Sequence, residues 1–213
     1  MDPYLRPTDV IDWEHPVVRA LGNELSASAT PRADGARAEQ VRRLFEWVRH
    51  RVTHTMDLGG GGPVTCSASE VATRRTSICF GKSHLLVALL RASGLRAGFC
   101  YQRLTENDRF FLHGLTAVQL PGLGWYRLDP RGGFRGTGAR FSPPNERLVY
   151  TPTSPGEWDS REVLADPLPE VVEALRAAPS LQHLAQALPD RVEPPRGLAR
   201  AIPRPERRRV ENL

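Results

Sequence analysis

Residues 76–95 read TSICFGKSHLLVALLRASGL. A polar segment gives way here to a dense apolar run, and Cys79 stands at the junction. Leu85, Leu86, Leu89 and Leu90 recur at helical spacing, and Gly94 is a stop signal. The spacing predicts a central, buried helix that opens near Cys79, with Thr76 or Ser77 as its cap. A thiol inside a core is packing material. A thiol at a helix N-terminus meets the positive end of the peptide dipoles, which favour its anionic form.

Upstream, Val41, Leu44, Phe45 and Val48 fall at i, i+3, i+4 and i+7, so a helix is expected from Ala36 to Val52. Residues 1–34 read as polar and irregular around an apolar patch at Val10, Ile11 and Trp13. The glycines at 59–62 mark a loop, and without a following Lys-Ser or Lys-Thr it is not a phosphate-binding loop. Ser67 and Glu70 have the spacing of a capping box for a short helix. Downstream the period changes. LRAGFCYQRL, LHGLTAVQL and WYRLDP read as three successive strands, the last two joined by a turn at Pro121–Gly124, with a polar linker around Glu106, Asn107 and Asp108. A helix feeding an antiparallel sheet is an α+β plan. Residues 131–168, rich in Gly, Pro and Ser, read as a wrapping segment, and PEVVEALRAA and SLQHLAQAL as two short surface helices.

With 213 residues, 40% of them hydrophobic, the chain is expected to form one domain over 1–190, its core at about 36–150. Of the net charge of +5, residues 191–213 supply +4, from seven arginines against Glu193, Glu206 and Glu211. This Arg- and Pro-rich stretch is expected to be a flexible tail. The remainder is nearly neutral, so nucleic acid is not an expected partner. No long apolar run points to a membrane, and no secretory signal is visible at the N-terminus, so a cytoplasmic location is expected. Cys66, Cys79 and Cys100 are odd in number and widely spaced, which fits reduced thiols, and neither they nor the histidines have zinc-ligand spacing. Lys82, three residues after Cys79, is the only lysine.

Three residues stand out as an ordered set. Cys79 opens the helix, His113 lies on the second strand 34 positions later, and Asp129 ends the third, 16 positions after that. A free thiol is mostly protonated at neutral pH. A nearby imidazolium favours the thiolate, and a carboxylate on the far ring nitrogen fixes the tautomer and supports the imidazolium. The first-turn amide of Cys79 is available to an oxyanion. Such a set makes an acyl-transfer site. Singly, each residue has a plainer reading: a core cysteine, a satisfied strand histidine, a turn-forming aspartate. His84, five positions after Cys79, points away from it on a helix. Cys66 and Cys100 read as packing.

CFGKSHLLVALLRASGLRAGFCYQRL, LHGLTAVQL and GWYRLDPRG resemble the transglutaminase-like superfamily, in particular its bacterial members. The likeness rests on a cysteine before a leucine-rich helix ending Leu90-Arg91-Ala92-Ser93-Gly94, then a histidine strand, then Trp125-Tyr126-Arg127-Leu128-Asp129. The resemblance implies a papain-like fold with Cys79 as nucleophile, His113 as general base and acid, and Asp129 as orienting carboxylate. Two positions depart from the family pattern: Ser77-Ile78 stand where a glycine usually precedes the cysteine, and Gly114-Leu115 where a small residue and Trp usually follow the histidine. The implied activity is cysteine-dependent acyl transfer on an amide or thioester carbonyl, the substrate being a peptide, a protein or another thioester or amide. It needs no cofactor, and the acceptor, water or an amine, stays open. The alternative is a non-catalytic binding or scaffold module on the same fold.

Overall fold

The computed structural model describes residues 1–26, 34–59, 62–132, 138–188 and 198–201. In chain order its helices are α1 (Pro16–Ser26), α2 (Asp34–Arg51), α3 (Ala68–Arg74), α4 (Cys79–Ala92), α5 (Pro169–Ala177) and α6 (Leu181–Ala187). The strands are β1 (Thr53–His54), β2 (Thr76–Ser77), β3 (Ala97–Glu106), β4 (Arg109–Leu120), β5 (Gly124–Leu128), β6 (Trp158–Ser160) and β7 (Leu198–Ala201). The architecture is α+β: a five-stranded antiparallel sheet in the order β5-β4-β3-β6-β7, and a small parallel pair, β1 with β2.

The expected central helix is α4. Leu85, Leu86, Val87, Ala88, Leu89 and Leu90 are all fully buried, so it has no solvent face. It packs on β3 and β4 to one side and on α1, α2 and α3 to the other. Gly94, at φ 70°, takes the left-handed conformation that ends it. Val41, Leu44, Phe45 and Val48 of α2 point into the same core. The capping box at Ser67 and Glu70 forms and starts α3. No helix among the described residues is long and apolar enough to cross a membrane.

The structure adds elements that periodicity did not reveal. Helix α1 lies within the stretch read as irregular; it buries Val18 and Leu21 and carries Pro16 at its first position. The linker at Asn107 and Asp108 is a two-residue hairpin turn with both residues at positive φ, so β3 and β4 pair directly from Glu106–Arg109 onward. β6 emerges from the wrapping segment to pair with β3. β7 pairs in turn with β6, so the sheet reaches into the stretch that composition marks as a tail. The other residues of 191–213, and Gly60 and Gly61 of the glycine loop, lie outside the described residues.

Gly114 sets the distance between α4 and the sheet. A Cβ there would stand 2.6 Å from Phe80 Cδ1. The first turn of the helix therefore rests on the backbone of β4, one residue from His113. Gly114→Ala should lower stability by about 1–3 kcal/mol through overpacking. Urea unfolding checks this, and parent-like stability would mean that helix and strand do not press together there.

Candidate active site

The β4–β5 register places the second and third members of the predicted set. Leu120 pairs with Gly124 and Thr116 with Leu128. Extended by one residue, this register sets Asp129 against Leu115, with His113 two residues further along the same face. Residues so related are diagonal neighbours, within reach of long side chains. Gly124 belongs to the strand rather than the turn, so the offset is smaller than counting from a turn at 121–124 implies.

His113 Nε2 donates to Asp129 Oδ2 at 2.8 Å, and both side chains are buried, at 2% and 0% exposure. The same carboxylate oxygen accepts from the Val149 amide at 3.0 Å, while Oδ1 accepts from the Arg131 amide at 3.1 Å. Burial alone would raise the Asp129 pKa. The His113 charge and hydrogen bond, with the two amides, outweigh it and hold the carboxyl below its ordinary value. Burial would likewise strip the proton from His113. The charge and hydrogen bond of Asp129, joined by Cys79, push its pKa up to about 10 instead. His113 is thus an imidazolium at neutral pH. The ring of Tyr150 stands edge-on to it, 4.9 Å between centroids.

Cys79 is the first residue of α4, preceded by Ile78 at the N-cap. Ile78 has no side chain able to cap the turn, and Thr76 and Ser77, the expected caps, are taken into β2. The helix therefore leaves its leading amides, that of Cys79 among them, without an intrahelical partner. The Cys79 thiol is among the groups that raise the His113 pKa. The structure thus pairs His113 with Asp129 and sets Cys79 at the start of α4.

Lys82, one turn further along α4, is fully buried. Its Nζ donates to the carbonyls of Val52 at 2.5 Å, Arg49 at 3.3 Å and Arg131 at 3.4 Å. It binds the C-terminal end of α2 to the turn that carries Asp129. Burial, and the nearby Arg131 charge, lower its pKa to about 8. The other expectations for titratable side chains resolve as packing. His84 Nδ1 bonds the Cys66 carbonyl at 2.7 Å, and burial lowers its pKa to about 4. Burial raises the Cys66 thiol to about 11 and the Cys100 thiol to about 12. Sequence reasoning missed Val149 and Tyr150, which come from an irregular segment with no periodic signal. No group of three or more candidate metal ligands occurs among the described residues.

A family model described as the transglutaminase-like superfamily matches residues 19–130. No curated protein matches the chain. Among solved structures, a candidate cysteine protease from Cytophaga hutchinsonii is 19% identical at a TM-score of 0.48, over 61% of this chain and 41% of its own. The periplasmic domain of TgpA from Pseudomonas aeruginosa is 21% identical at a TM-score of 0.44, over 60% of this chain and 45% of its own. The chain thus spans less than half the length of these structures.

The buried pair has a pH signature. The unfolded chain releases the His113 proton near its ordinary pKa of 6.5, whereas the folded protein keeps it to about 10. The stability His113 contributes is therefore complete below about 6.5 and is lost as pH rises through about 10. Asp129 contributes stability above its ordinary 3.8, lost as pH falls through its depressed value. Lys82 titrates near pH 8 with the opposite sign, so parent and variant must be compared. The melting-temperature advantage of the parent over Asp129→Asn should shrink steadily from pH 6.5 to pH 10. Parallel profiles would show that Asp129 does not hold the imidazolium.

Proposed function

This chain belongs to the transglutaminase-like superfamily, and we propose that it is a cysteine-dependent acyl-transfer enzyme acting on an amide or thioester carbonyl. The observation that carries the reading is the buried His113–Asp129 hydrogen bond of 2.8 Å, with the Cys79 thiol among the groups that raise the His113 pKa.

The steps follow from this placement. The Cys79 sulfur attacks the carbonyl carbon and forms a C–S bond. The oxygen takes up negative charge, and the leading amide of α4 supplies a donor to it. The C–N or C–S bond of the donor breaks as the His113 imidazolium gives its proton to the leaving group. The acyl group is then a thioester on Cys79. Water or an amine attacks it, passes a proton back to His113, and releases the thiolate. Asp129 stays ionised throughout, holding the ring and its charge.

Para-nitrophenyl acetate tests the reading, with water alone and with an added primary amine. A burst of nitrophenolate and a mass increase of one acetyl group on Cys79 are expected. Hydrolysis and amide formation in the two arms identify the acceptor. Cys79→Ala should abolish the burst, Asp129→Asn should slow acylation by about a hundred- to ten-thousand-fold, and Cys100→Ala should leave it near the parent rate. Parent-like acylation by the Cys79→Ala variant would contradict the proposal. So would an Asp129→Asn variant that melts early but reacts at the parent rate.

A further inference from the structure

A cleft of about 700 Å³ opens beside Ile78, the residue that precedes the proposed nucleophile. Ile78 and Leu112, the residues that precede Cys79 and His113, line one side of it, together with Tyr150, whose ring stands against His113. Leu181, Leu184 and Leu188, from α6 and the residue after it, form another wall, and Phe110 and Phe111 of β4 a third. At its edge Met56 is 53% exposed, one of the few large apolar side chains left in water among the described residues. The charged residues that line it are two acids and two arginines, Asp57, Glu106, Arg109 and Arg131, and Asp57 is paired with Arg131 at 3.1 Å. His54 lines it too; burial, helped by the Arg131 charge, lowers its pKa to about 3, so it is neutral.

We propose that this cleft is the acyl subsite, and that the group carried by the attacked carbonyl is an uncharged apolar chain, aliphatic or aromatic. The proposal rests on Cys79 being the nucleophile. Tyr150 both lines the cleft and stands against the His113 ring, and Ile78 carries the lining up to Cys79, so the chain of an acyl group bonded to the sulfur has the cleft as its adjoining space. Its size is that of a small-ligand site, and its aliphatic and aromatic walls desolvate a chain without leaving a charge unpaired. A charged chain would have to give up water for walls of leucine and phenylalanine. An apolar chain would also cover Met56.

The test is a series of N-alkylmaleimides, from methyl to heptyl, reacted with the full chain at pH 6.5. Labelling is located by mass spectrometry, and each rate is divided by that of free glutathione. Cys79 should be the preferred site, and its relative rate should climb with chain length by up to about fourfold per methylene until the cleft is filled. Ala185→Glu places a charge in the wall from an exposed position on α6, and Met56→Glu does so at the edge. Both should flatten the climb. If Cys79 is preferred but its rate is independent of chain length, the apolar subsite is wrong and the acyl-transfer reading stands. A climb that survives in both glutamate variants also overturns the assignment to this cleft. If Cys79 labels no faster than Cys66 and Cys100, both proposals fall.

Discussion

Helix α4 is covered on every side, and that constraint organises the molecule. A buried helix must satisfy each polar side chain it carries, because an unpaired polar group away from water is costly. Lys82 bonds the carbonyls of Val52, Arg49 and Arg131; Ser83 bonds that of Gly114 at 3.3 Å; His84 bonds that of Cys66. Arg91 reaches the Ala97 carbonyl through two nitrogens, at 3.1 and 3.0 Å. These partners belong to the end of α2, the strand β4, the loop before α3, the turn after β5 and the start of β3. The polar side chains of α4 therefore fix its rotation and depth against its neighbours, and with them the position of Cys79.

The sheet supplies the other half of the arrangement. Gly114 lets Phe80 rest on the strand, so the helix start and His113 are brought close by backbone contact. On the opposite face Arg127 binds Glu146 at 2.8 Å and Asp159 at 2.5 Å. Glu146 precedes Val149 and Tyr150 by three and four residues. The ion pairs thus anchor the irregular segment where its amide reaches Asp129 and its ring reaches His113. The arginine is almost entirely buried, so the pairs are held with little solvent between them. A charge left there without its partners would be strongly destabilising.

What could be read from the sequence depended on how local the signal was. The leucines of α4, the apolar face of α2, the capping box and the three central strands each carry their pattern within a few residues. The pairing of His113 with Asp129 was legible because the strands that carry them are consecutive and share one turn, and the start of α4 at Cys79 because its leucine pattern is local. Helix α1 announced itself only through Pro16 and a short apolar spacing. The turn at Asn107 and Asp108 was legible in principle, since these residues tolerate positive φ. β6 is three residues long and draws its pairing from a strand more than fifty residues earlier. Val149 and Tyr150 reach the site through contacts with residues far away in the chain, such as the Gln102 side chain on the Tyr150 carbonyl, and no local pattern encodes that. The cap failed for a similar reason: pairing with β1 took Thr76 and Ser77 out of the role their residue types favour.

The central claim is that Cys79 is the reagent and that the buried pair makes it one. Competitive alkylation by iodoacetamide at pH 6.5, followed by mass spectrometry of all three cysteines, tests it most directly. The account predicts that Cys79 is modified first in the parent and that Asp129→Asn removes most of that preference. Cys66 and Cys100, whose thiols burial holds at about 11 and about 12, should lag in both. Equal labelling of the three cysteines in the folded parent would contradict it, and so would a preference for Cys79 that survives intact without the carboxylate.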